Sequence, residues 1–173
     1  MWEKPSKRAI LLVRCASLRY RMEDVMEYLT DNIRLISHLL VVIILIAAAA
    51  SDIREHRIPD KLVLAGTAAG LVLATFNPQI GLLDSFIGGV TAGLVLLLTY
   101  YVTKGGLGLG DVKLFGCTGI YLGLEGTVSA LVAASVLGGL YSLLLICMDR
   151  DNKKREIPFA PFILAGALAA IFL

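Results

Sequence analysis

From residue 33 onward the chain alternates apolar runs with short polar or glycine-rich breaks, and six of the runs predict helices. Crossing a hydrocarbon layer of about 30 Å takes about 20 apolar residues. Ile33 to Ser51 meets that length, with Arg34 and His38 near its outer end. Leu62 to Thr75 is shorter and rich in Ala and Gly; extended to Asn77 and Pro78 it becomes a marginal span that ends at a helix breaker. Gly81 to Thr103 is a long third run, Val112 to Leu124 a short fourth, Gly126 to Met148 a full fifth and Pro158 to Leu173 the last. Glycines recur as Gly66 with Gly70, Gly89 with Gly93, Gly119 with Gly123 and Gly138 with Gly139, and small residues let helices approach closely. The pattern predicts an all-α polytopic membrane helix bundle of about six transmembrane helices.

Composition agrees: 57% of the 173 residues are hydrophobic and mean hydropathy is +0.79, values that place residues 33–173 in one membrane domain. The net charge of +2 is small and the basic residues fall between apolar runs, so nucleic-acid binding has little support. Cys15, Cys117 and Cys147 are scattered without CxxC spacing and read as packing residues rather than a zinc site or disulfide framework. HExxH, GxSxG and P-loop patterns do not occur, which leaves zincin, nucleophile-elbow and P-loop chemistry without an anchor.

Charge separates the loops. Arg54, Arg57 and Lys61 follow the first run, Lys104 and Lys113 bracket the third-to-fourth connection, and Arg150, Lys153, Lys154 and Arg155 follow the fifth. The intervening loops, Asn77 to Ile80 and Gly123 to Gly126, contain no Lys or Arg, so the positive-inside rule assigns the charged loops to the cytoplasm. Residues 1–32 conflict with this, because Lys4, Lys7, Arg8, Arg14, Arg19 and Arg21 would lie outside. This basic extension is either an amphipathic surface helix or the product of an upstream start, with Met22 and Met26 as alternative starts. No signal-peptide core or cleavage pattern accompanies it.

Two aspartates stand at the edges of apolar runs on the charged side. Asp52 follows four alanines and Ser51 and precedes Ile58-Pro59; Asp111 closes Gly108-Leu109-Gly110-Asp111 at the start of the fourth helix. Alone, Asp52 reads as an interfacial charge and Asp111 as a helix cap in a flexible turn. Together, in this order and on one face, they predict a catalytic pair, since carboxylates near hydrocarbon are costly and usually serve a site. Gly108 and Gly110 permit close backbone approach and shape that site. Lys113 either adds positive potential or anchors its helix at the interface. Asp52, His56 and Asp60 have metal-ligand spacing, but Pro59 interrupts the helix that would align them. Ser51 lacks a companion base and reads as a polar cap, while Asp84 and Glu125, near the opposite face, read as interfacial or structural.

These motifs resemble those of the type IV prepilin peptidase family, membrane aspartic proteases of the GxGD class. Asp52, Arg54, Ile58 and Pro59 match its first-aspartate region; Gly108, Gly110, Asp111 and Lys113 match GxGDxK; Glu156 to Phe162 resembles the start of its final helix. Asp60 stands where Asn is common and Ala160 where Gly is common. The resemblance, covering about residues 33 to 173, implies a short, peptidase-only form without a methyltransferase. It implies a prepilin or pseudopilin substrate with a basic leader and a following hydrophobic helix, a prokaryotic cell membrane, and no metal or organic cofactor. Two adjacent carboxyls in a partly dry site share one proton and activate water without a covalent intermediate. The competing readings are a small proton- or cation-coupled transporter and a non-enzymatic assembly subunit, neither of which cuts peptide bonds.

Overall fold

The computed structural model describes residues 7–55, 57–77, 80–104, 107–148 and 159–172. Five helices follow in order: α1 (Lys7–Glu55), α2 (Asp60–Phe76), α3 (Gly81–Val102), α4 (Leu109–Met148) and α5 (Ala160–Phe172), with no strand among the described residues. The protein is an all-α helix bundle. Three stretches are long and apolar enough to cross a membrane, Asp24–Glu55, Gly81–Val102 and Leu109–Leu145, while α5 is apolar but shorter.

Each of the six predicted runs is helical, but two boundaries differ. The first helix does not begin near Ile33; α1 is continuous from Lys7 and takes in most of the basic extension. The break between the fourth and fifth runs falls at Gly123 rather than at Glu125. There φ is +66° and ψ −173°, a conformation that side-chain-bearing residues avoid. The chain reverses at this point, because Asp111 lies at one end of the bundle and the second arm of α4 returns to that end, where Gly138 meets Phe159 at the threshold of α5. Helical bonding interrupted at a glycine leaves backbone groups to satisfy. The Thr127 hydroxyl donates to the Gly123 carbonyl, and Asp84 of α3 accepts the Leu124 N–H at 3.4 Å, so Asp84 caps the second arm.

Glycines set the packing distances. A Cβ at Gly88 would fall 2.6 Å from the Gly119 carbonyl oxygen, and one at Gly119 would fall 2.6 Å from that of Gly88, so α3 and α4 meet backbone to backbone. Gly70 gives room to the Tyr121 ring, whose hydroxyl donates to the Gly66 carbonyl at 2.6 Å and ties α4 to α2. Gly166 lies against Ala130 and seats α5 on the second arm of α4. Gly93 and Gly139 face open space, so the recurring glycines are not all packing positions. Two buried hydroxyls return to their own helix: Ser37 and Thr118 donate to carbonyls four residues back, so neither donor is stranded in the apolar interior.

Candidate active site

Asp52 occupies the last turn of α1 and is buried. A carboxylate is poorly placed at the negative end of its own helix dipole. The compensation comes from another helix: the N–H of Ala160, the first residue of α5, donates to Asp52 Oδ2 at 3.3 Å. Ala48 and Ala49, one turn earlier on α1, are buried in the same core as Ala160 and Ile163, where α5 packs on α1. The alanine run before Asp52 is therefore part of what holds it.

Asp111 sits in the first turn of α4, its N–H donating to the Gly108 carbonyl at 3.1 Å. It too is buried, and its Oδ1 has no hydrogen-bond partner. Leaving a buried polar atom unpaired costs about 1–3 kcal/mol. Gly108 lies so close that a Cβ there would come within 3.0 Å of Asp111 Oδ2. Gly110 abuts Ile58, its imagined Cβ 3.4 Å from the Ile58 side chain. Ile58 precedes a proline, which biases it to extended backbone, and Pro59 caps α2 with its carbonyl accepting from Leu62 at 3.0 Å. The connection from α1 to α2 thus lies against the glycine turn that carries Asp111.

The two aspartates share one cavity of about 550 Å³. Gly108, Gly110 and Lys113 line it as well, so all five residues singled out in the sequence come together. Lys113 stands on the rim, its Nζ 2.9 Å from Asp60 Oδ1, both side chains largely exposed. This pair links α4 to α2. Sequence reasoning noticed Asp60 as a departure from the family pattern and in a metal-ligand spacing with Asp52 and His56; the spacing between Asp60 and Lys113 carries no signal that they meet. The N–H of Ala160 was equally invisible, though the proline-flanked motif around it marks a helix start. His56, Pro78, Lys4, Arg150, Lys153, Lys154, Arg155 and Glu156 to Pro158 lie outside the described residues.

A helix bundle with membrane-length apolar segments, in which two buried carboxylates line one cavity, defines a membrane protein with a paired acidic site. Residues 39–143, more than half the chain, match the model of the type IV leader peptidase family, and the chain belongs to that family. It is 29% identical over 150 residues to a prepilin leader peptidase/N-methyltransferase of Aeromonas salmonicida, covering 83% of this chain and 52% of that protein. Proteins of the same description from Bacillus subtilis and Pseudomonas putida are 27% and 31% identical over 139 and 134 residues, covering 80% and 74% of this chain and 56% and 46% of theirs. The chain spans about half the length of these curated relatives. No solved structure matches it significantly.

Proposed function

We propose that this chain is a membrane-embedded aspartic endopeptidase that removes the basic leader from type IV prepilin or pseudopilin substrates, with Asp52 and Asp111 activating water. The observation that carries the reading is the meeting of these two buried carboxylates in one cavity although they belong to different helices. Like charges held together in a partly dry site favour one ionised and one protonated member. The ionised carboxylate takes a proton from water as its oxygen attacks the scissile carbonyl carbon. The protonated carboxyl hydrogen-bonds the carbonyl oxygen and stabilises the charge that develops there. Collapse of the tetrahedral intermediate breaks the C–N bond as the leaving amine takes up a proton, and the pair regains its single shared proton.

The cytoplasmic membrane face is supported by Arg57 and Lys113, which border the cavity, and by Arg54 in the last turn of α1, Lys61 in the first turn of α2 and Lys104 just beyond α3. The proposed topology has six membrane segments, counting the two arms of α4 separately. The activity proposed is the peptidase alone, without N-methyltransfer.

The test is cleavage of a co-expressed prepilin-like substrate by wild type, Asp52→Asn and Asp111→Asn, with the membrane level of each enzyme measured. Each substitution is expected to lower cleavage by about 10²–10⁴-fold, the usual contribution of acid–base catalysis. Full processing by a well-inserted single variant removes that aspartate from the mechanism.

A further inference from the structure

Beside the catalytic cavity an apolar groove runs between α2 and α3 with α4 as its floor. Its first part, about 620 Å³, has Leu64 on one wall, Val90 on the other and Ile120 beneath. Its second part, about 670 Å³, continues to Thr75 near the far end of α2. The two parts share Leu71 and Phe86, so the groove is continuous. From Lys61 to Thr75 it follows about four turns of α2, or about 21 Å at 1.5 Å per residue. At its upper end it shares Asp60 and Lys113 with the catalytic cavity. Leu64 is 73% exposed and Phe86 58%, so the walls present large side chains that no part of the described chain covers.

We infer that this groove receives the hydrophobic helix of the substrate while the leader junction lies between Asp52 and Asp111. The inference rests on the peptidase reading. The bond to be cut is joined covalently to that helix, so the helix begins within a few extended residues of the carboxylates. On another side the bundle is closed at the site, where α5 is docked on α1 through the Ala160 N–H and Asp52. The groove opens from the cavity rim and runs along the bundle for most of a hydrocarbon thickness, so an apolar helix laid in it keeps its scissile end at the carboxylates. The exposed Asp60–Lys113 pair marks where the chain passes from cavity to groove, and the substrate helix takes the place of lipid chains against the groove walls.

A photo-crosslinking residue placed at Leu64 or Val90 in the uncleaving Asp111→Asn enzyme, co-expressed with a prepilin-like substrate, is expected to capture the substrate's hydrophobic helix. The same residue at Val132, exposed on the second arm of α4, is expected to capture none. In the active enzyme, Val90→Trp is expected to raise KM for this substrate tenfold or more, whereas Val132→Trp leaves it within twofold. Crosslinks to lipid alone, or equal capture from Val132, overturn the assignment. If wild type cleaves while the groove positions capture nothing, the groove assignment falls and the peptidase reading stands; if wild type does not cleave, both fall.

Discussion

Replacing Gly108 by alanine tests whether the glycine turn sets the position of Asp111. The new methyl would sit 3.0 Å from Asp111 Oδ2 and 3.8 Å from its Cγ, whereas ordinary contact begins at 3.4 Å. Relief therefore displaces the carboxylate by about 0.4 Å, the difference between 3.4 and 3.0 Å. A misplacement of 1 Å at a reacting centre costs about 10²-fold, so 0.4 Å corresponds to roughly a sixfold loss in kcat. The fold has little reason to suffer. Gly108 does not have positive φ, the obstructing atoms end a side chain, and alanine reduces unfolded-chain entropy by the equivalent of about 0.4–1 kcal/mol. The assay is kcat and KM on a purified prepilin-like substrate beside thermal unfolding in detergent. The expected result is a fivefold to tenfold drop in kcat with KM and melting temperature nearly unchanged. Gly110→Ala serves as the contrast, because its methyl would meet Ile58 at an ordinary 3.4 Å. An unchanged kcat in Gly108→Ala, or an equal loss in both variants, would refute the positional argument.

Gly119→Ala drives a methyl to 2.6 Å from the Gly88 carbonyl and should destabilise the α3–α4 contact by about 1–3 kcal/mol, measured as lower folded yield in detergent, whereas Gly93→Ala, which meets nothing within 4 Å, should be neutral. Asp60→Asn breaks an ion pair between largely exposed side chains, so a stability loss of about 1 kcal/mol or less is expected in denaturant titration; a larger loss would mean that the pair holds α2 on α4. Cleavage rate against pH should be bell-shaped, because at low pH both carboxyls are protonated and no base remains, and at high pH both are ionised and no acid remains; a single-limbed profile would argue against a working pair.

The helices and the pairing of Asp52 with Asp111 were legible early because both are written in neighbouring residues. Run length and glycine punctuation mark α2 and α3 almost to the residue. The breaks around Asp52 and Asp111 identify carboxylates at water-facing ends, and parity of crossings puts them at one end of the bundle. The reversal in α4 falls within the Gly123 to Gly126 loop read from the sequence, at its first glycine, because only Gly123 lies beside Asp84, which caps the arm that follows. The start of α1 was misjudged because charged side chains at a membrane edge are compatible with a helix that simply continues.

The order of residues along the chain is therefore enough to set the local, one-dimensional part of the protein. Apolar runs must form helices, because a backbone shielded from water has to bond within its own segment, and charged residues must gather where water is. Only the tertiary structure decided which groups meet across those helices: the α5 N–H on Asp52, the Lys113–Asp60 bridge, the glycine faces on which α3 and α4 cross, and the groove that opens from the carboxylates. Such contacts depend on how closely two helices approach and at what rotation. Those quantities are set jointly by residues far apart in the chain, and no single run of residues encodes them.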